Sequence, residues 1–205
     1  MADPTIYSIG LFIDGGYYAE IDNGLFAENR RVNLKGLINH IRKEIAEYYG
    51  LPKERCLVTE SHFFRGRFRA ADARQAKKLE SDRLFEDRLI ENDVVFHYKH
   101  IYQCPDGSIK EKGIDVWFAL ETLELAMYRD FDFVVLITGD ADHEMLARKI
   151  KSLKKQVILV TWDLSPKTAT SPALKDEVTL HIDLKQRTAD NPGLKEHICS
   201  ATSVR

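Results

Sequence analysis

Short apolar runs alternate with helical periodicity five times along this chain, and few backbone arrangements satisfy that pattern. Residues 6–14, 56–64, 94–100, 133–138 and 156–161 read as strands, because each is a brief apolar stretch bounded by turn residues or by a helix. The segment before Asn33 reads as a loop opened by Gly15-Gly16. Asn33 is a good N-cap, Leu34, Leu37, Ile38, Ile41 and Ile45 follow at helical spacing, and Gly50-Leu51-Pro52 ends that helix. A charged helix with a thin apolar side (Leu79, Phe85, Leu89) is expected over 71–90. A more apolar helix is expected over 114–128, with Val116, Leu120, Leu123 and Met127 as its core stripe. Residues 142–155 form the last clear helix, with Leu146, Ile150 and Leu153 inward.

Strictly alternating strands and helices give an α/β fold: a three-layer α/β/α sandwich around a mainly parallel sheet of about five strands. Right-handed crossovers then gather the C-terminal ends of the strands on one edge, where ligands bind in such folds. Pro105-Asp106-Gly107 predicts a small hairpin between 101 and 113, residues 163–172 a loop, and 178–183 a short final strand. One domain over residues 1–184 accounts for all of this. The polar remainder, 185–205, contains Asn191-Pro192-Gly193 and is expected to be a flexible tail.

Charge sets a limit on partners. A net charge of −2 gives no global positive field, so attraction for a polyanion must come from a local patch or a bound cation. The three cysteines, Cys56, Cys104 and Cys199, have neither disulfide-framework nor zinc-ligand spacing. No basic-then-apolar leader opens the chain, and no apolar run nears the roughly 20 residues that span a bilayer. No membrane role is expected, and a reducing cytoplasm is the default location.

Aspartates stand where the first and fourth strands run out. Asp14 follows Leu11-Phe12-Ile13, Asp140 follows Leu136-Ile137-Thr138-Gly139, Asp142 comes two residues later, and Asp115 opens the apolar helix. Taken singly, each fits an ordinary cap or turn. Brought together, unpartnered carboxylates repel, and a hard divalent cation such as Mg²⁺ relieves that repulsion. The densest basic cluster is Arg65, Arg67 and Arg69, interleaved with Phe63, Phe64 and Phe68 and extended by Arg74, Lys77 and Lys78. Arginine forks bind phosphates and exposed aromatics stack bases, although Glu80, Asp82, Glu86 and Asp87 offer a neutralising alternative.

Three blocks then carry a resemblance: Leu11-Phe12-Ile13-Asp14-Gly15-Gly16-Tyr17, Lys112-Gly113-Ile114-Asp115-Val116, and Val134 through Thr138-Gly139-Asp140-Ala141-Asp142. They match, in order, the IDGxN, KGxD and SGDxDF patterns of NYN domains. The chain thus resembles the LabA-like branch of that family, within the PIN-like nuclease superfamily, over residues 6–184. The resemblance implies RNA phosphodiester hydrolysis with Mg²⁺ or Mn²⁺. Asp14, Asp115, Asp140 and Asp142 would be the catalytic and metal-binding residues, with Asp14 and Asp140 as primary ligands and Asp115 and Asp142 completing the cluster directly or through water. Thr138 takes the family's small hydroxyl position. Tyr17 replaces the usual Asn and His143 the usual Phe, and His143, Thr138 and the three arginines are candidate substrate contacts. Those two departures leave open a non-catalytic RNA-binding module. A small-phosphoester phosphatase is the weaker alternative, since no DxDxT pattern follows the first strand. No GxGxxG or Walker A run is present. The oligomeric state is open, a homo-oligomer included.

Overall fold

The computed structural model describes residues 5–75, 77–103, 109–110 and 112–202. In chain order its elements begin with β1 (Tyr7–Asp14), α1 (Gly15–Phe26), β2 (Arg30–Val32), α2 (Leu34–Tyr49), β3 (Cys56–Arg67), α3 (Ala70–Gln75) and α4 (Leu79–Ile90). β4 (Val94–His100), β5 (Tyr102–Gln103), β6 (Ile109–Lys110), α5 (Ile114–Tyr128), β7 (Phe133–Ile137), α6 (Glu144–Ser152) and β8 (Gln156–Thr161) follow. The chain closes with α7 (Pro172–Glu177), β9 (Leu180–Asp183), α8 (Leu184–Asp190), α9 (Pro192–Ile198) and β10 (Cys199–Ala201).

Six strands form the central sheet in the order β4-β3-β1-β7-β8-β9, and each neighbouring pair is parallel. The sixth is β9, the short strand expected near 178–183, which pairs with β8. Parallel strands buried on both faces need apolar residues on both, and β7 (FVVLI) has every residue buried. Ile9, Leu11, Ile13, Val135, Ile137, Ile158 and Val160 pack on one side with residues of α1, α2, α4, α8 and α9. Phe12, Phe64, Val134, Leu136, Val157 and Leu159 pack on the other with residues of α5, α6 and α7. These are the three layers. The strand order turns outward in both directions from the β1–β7 pair, so the C-terminal ends of those strands mark the switch point where such sheets hold ligands.

Four local expectations are corrected. The segment after Gly15-Gly16 is helix α1, not a loop, because the Asp14 carboxylate caps it and Gly15 packs directly on β3. A Cβ at Gly15 would lie 2.4 Å from the carbonyl oxygen of Phe64, so the glycine serves close approach rather than a turn. The charged helix is split into α3 and α4, with Lys77 between them at a positive φ of 55°. Of the expected tail, residues 185–201 are folded: Leu194, Ile198 and Cys199 are buried in the core beside α2, and β10 pairs antiparallel with β2. The apolar anchors are few among polar neighbours: Leu194 and Ile198 lie four residues apart on α9, and Cys199 continues into β10.

The fourth correction concerns α5. Its buried residues are Ile114, Phe118, Thr122 and Ala126, whereas Val116, Leu120 and Met127 are 61%, 63% and 56% exposed. Two apolar stripes run along this helix, and Phe118 wins the core because its ring meets Phe64 on β3 and the His143 imidazole. β5 and β6 pair as the expected hairpin, while the Pro105-Asp106-Gly107 turn lies outside the described residues. Among those residues no helix is long and apolar enough to cross a membrane, and Cys56 and Cys199 are free and buried.

Candidate functional site

Asp14 is the last residue of β1 and the N-cap of α1. Its Oδ1 accepts from the backbone amides of Gly16 (2.9 Å) and Tyr17 (3.2 Å). That fixes one oxygen and leaves the other to Thr138, whose Oγ1 lies 3.1 Å from Asp14 Oδ2. Thr138 follows β7 directly and is wholly buried. Its hydroxyl also lies 3.1 Å from His143 Nδ1 and 3.3 Å from the Asp140 amide nitrogen. The proton directions follow from chemistry. A carboxylate only accepts, so the single hydroxyl proton points to Asp14; the amide and the Nδ1–H of His143 then donate to the two lone pairs. This leaves His143 Nε2 buried and without a hydrogen-bond partner.

Asp140 caps a short helical turn, accepting at Oδ1 from the Asp142 amide at 3.0 Å. Asp115 enters from the first turn of α5. Asp14, Asp115 and Asp140 line one open cleft of about 640 Å³ with Gly16, Tyr17, Glu20 and the loop residues Lys167, Thr170 and Ser171. Burial, and after it the charges of Asp14, Asp140 and Asp142, push the Asp115 carboxyl above its ordinary value of 3.8. Asp142 is thus within electrostatic reach of the cleft, although it does not line it.

The raised value has a measurable consequence. The folded state holds the Asp115 proton more tightly than the unfolded chain, so this group favours folding below pH 3.8 and that contribution is lost as pH rises through the raised value. At neutral pH the ionised side chain is therefore a small liability, screened because it is exposed. Asp115→Asn is expected to raise thermal stability slightly at pH 7 and to match the parent protein below pH 3.8. Melting curves at both pH values check this, and a variant destabilised at pH 7 would contradict it.

The remaining candidates are placed differently. Thr138 and His143 are 0% and 1% exposed, so they hold Asp14 from beneath rather than touch a ligand. Arg65 and Arg67 sit on β3, which is three residues longer than expected, and line a separate 180 Å³ hollow with Phe68, Lys78, Asp82, Phe85, Glu86 and Tyr98. Arg67 is engaged there: it pairs with Glu86 at 2.9 Å and its guanidinium lies over the Tyr98 ring. Arg69 follows β3 and is not among the residues lining either hollow.

Two features escaped the sequence reading. Lys167, 3.5 Å from Glu20, brings a cation to the acidic cleft from the loop after β8. Tyr17, although it lines the cleft, turns its hydroxyl inward. Its hydroxyl accepts from the Trp162 amide (3.0 Å) and donates to the Thr168 carbonyl (3.3 Å), and burial pushes its pKa up to about 12. The loop that carries Lys167 is thereby pinned to α1, and the Ser171 amide binds the Gly139 carbonyl at 3.0 Å. The signal for Lys167 was positional: every loop leaving a strand's C-terminal end on this edge is a candidate wall of the cleft.

With that geometry in view, a family model for the NYN domain matches residues 8–185. The chain belongs to the NYN domain family. Membership places it with nuclease-like, RNA-related proteins. No curated protein and no solved structure gives a significant match. In this NYN domain the match runs from β1 to the start of α8, and so takes in all six strands of the sheet and every acid named above. Among the described residues no three His, Cys, Asp or Glu side chains stand close enough together to hold a metal ion. The donor set still suits one kind of ion. It is all oxygen, open to solvent and sparse, which matches Mg²⁺ or Mn²⁺ bound through one or two carboxylates, waters and a substrate phosphate.

Proposed function

We propose that this NYN domain, of the LabA-like branch, is a divalent-metal-dependent ribonuclease that hydrolyses RNA phosphodiester bonds in the Asp14–Asp115–Asp140 cleft. The observation that carries this reading is the position of Asp14 and Asp140 at the ends of adjacent central strands, facing one open cleft together with Asp115, whose carboxyl is pushed up by burial and then by the charges of its acidic neighbours. Asp14 and Asp140 would hold Mg²⁺ or Mn²⁺, with Asp142 supporting from the adjacent turn. The bound cation supplies Lewis acidity and offsets phosphate charge. Asp115, with its raised pKa, is suited to take up a proton. Lys167, which lines the same cleft, adds a positive charge for the RNA backbone. Thr138 and His143 keep the Asp14 carboxylate oriented.

A second reading, an RNA-binding module without turnover, draws on Tyr17. The hydroxyl at the family's Asn position is committed to the Trp162–Thr168 loop, so no free polar group stands there for substrate. One experiment separates the two. Purified protein is incubated with labelled single-stranded RNA and Mg²⁺ or Mn²⁺, with and without EDTA, and products are resolved on a gel. Cleavage that EDTA abolishes is expected. Chelator-insensitive cleavage would reject the metal site, and RNA retained intact under every condition would leave the binding module.

A further inference from the structure

We propose that the hollow between the ends of β3 and β4 and the face of α4 is a guanine subsite, which takes one unpaired guanine base of an RNA strand. The inference deepens the proposed function and rests on its RNA half, not on turnover. The hollow encloses about 180 Å³, room for a single flat ring system and too little for a base pair. Phe68, Phe85, Tyr98 and Ile101 supply apolar walls, and unpaired bases are held in such places by stacking on aromatic rings and guanidinium planes. One such plane is already set: the Arg67 guanidinium lies over the Tyr98 ring and is paired with Glu86, which is 5% exposed.

The polar groups choose the base. Asp82 and Glu86 stand one turn apart on α4 and both line the hollow. Glu86 is engaged by Arg67 at 2.9 Å and by Arg83 at 3.3 Å. Among the described residues no ion pair or side-chain hydrogen bond holds the partly exposed Asp82. As a first-turn acid Asp82 complements the α4 dipole, but that role does not require it to face the hollow. A carboxylate only accepts, so it selects a base edge that donates. Guanine alone of the four bases offers two adjacent donors, N1–H and the N2 amino group, which suit the two oxygens of one carboxylate. Adenine and cytosine set a ring-nitrogen acceptor beside their one amino group, and uracil flanks its one N–H with carbonyl oxygens. Each of these brings a lone pair toward the carboxylate. The cations complete the match. The charged ends of Arg65 and Lys78 lie over rings, 5.9 Å from the Phe85 centroid and 5.5 Å from that of Phe68, rather than on a carboxylate. They suit guanine O6 and N7, the commonest specific contact of Arg and Lys, and the adjoining phosphate.

β3 links the hollow to the acidic cleft. Phe64 pairs in register with Asp14, and a Cβ on Gly15 would lie 2.8 Å from the Arg65 Cβ. Two strand spacings, on the order of 10 Å, separate Asp14 on β1 from Tyr98 on β4, so one strand of RNA spans both. The substrate this implies is single-stranded RNA with a guanosine close to the bond that is cut.

Binding is read without turnover, by fluorescence anisotropy in EDTA, with a labelled uridine nonamer and the same nonamer carrying guanosine or adenosine at its centre. The guanosine strand is expected to bind roughly 10-fold or more tightly than the other two. Asp82→Asn keeps the size of the side chain and replaces one acceptor by a donor. It should erase that preference while its melting temperature and its affinity for the uridine strand stay near those of the parent. Equal affinity for the three strands, a preference that survives Asp82→Asn, or free GMP that competes as well as the guanosine strand would each overturn the proposal. Guanine preference without cleavage in Mg²⁺ or Mn²⁺ would reject the nuclease reading alone, and metal-dependent cleavage without guanine preference would reject the subsite alone.

Discussion

The Asp14→Asn protein is expected to fold as the parent does and to lose divalent-dependent RNA cleavage by on the order of 10²–10³-fold or more. The substitution is chosen for what it preserves. Asn is as good an N-cap as Asp, so its Oδ1 can keep the bonds from the Gly16 and Tyr17 amides and α1 keeps its start. The position facing Thr138 changes. An amide nitrogen there cannot accept the hydroxyl proton, and a neutral amide is a poor partner for a hard cation. Asp14→Ala would confound the result, since losing the cap costs about 1 kcal/mol. Unchanged melting with abolished cleavage is the expected pair of results. Full activity in Asp14→Asn would remove the first residue on which the proposed function rests, whatever happens at Asp140.

How much of this was legible in the sequence differs between residues for physical reasons. Asp14 and Asp140 were legible because backbone chemistry places them: a buried parallel strand must be apolar, and the first acid after it lies at the sheet edge. The fate of Arg67 was not. Its partner Glu86 lies on α4, across a crossover whose packing no local pattern reports, so a phosphate-binding arginine and an ion-paired one look alike along the chain. His143 was similarly opaque. At a helix start it reads as a candidate substrate contact, yet Phe118 on α5 closes over it and Thr138 takes its Nδ1. On α5 the periodicity was present twice, and hydropathy could not choose between stripes until β3 and α6 selected the one led by Phe118. The last 20 or so residues misled for another cause: burial of Leu194, Ile198 and Cys199 depends on β2 and α2, not on neighbours in sequence.

Thr138 provides the second large effect, because three groups depend on one hydroxyl. In Thr138→Val the shape is kept, but Asp14 Oδ2 loses its donor, and the Asp140 amide and His143 Nδ1–H lose their acceptor. Leaving buried polar groups unpaired is expected to cost roughly 1–3 kcal/mol of stability. Removing one of the three bonds that orient the Asp14 carboxylate is expected to weaken Mn²⁺ binding about 10–100-fold, the usual cost of removing a group that orients a ligand. Thr138→Ser retains the hydroxyl and loses only a buried methyl, so it should cost about 1 kcal/mol of stability and leave Mn²⁺ affinity near that of the parent. The comparison separates positioning from packing: a packing role predicts that Ser is the worse replacement, whereas a positioning role predicts that Val is. Calorimetric Mn²⁺ titration of the parent, both Thr138 variants and Asp14→Asn reads the outcome directly. Binding lost in Asp14→Asn but unchanged in Thr138→Val would keep the metal site and discard the Thr138 relay, while binding unchanged in all three variants would discard the metal site itself.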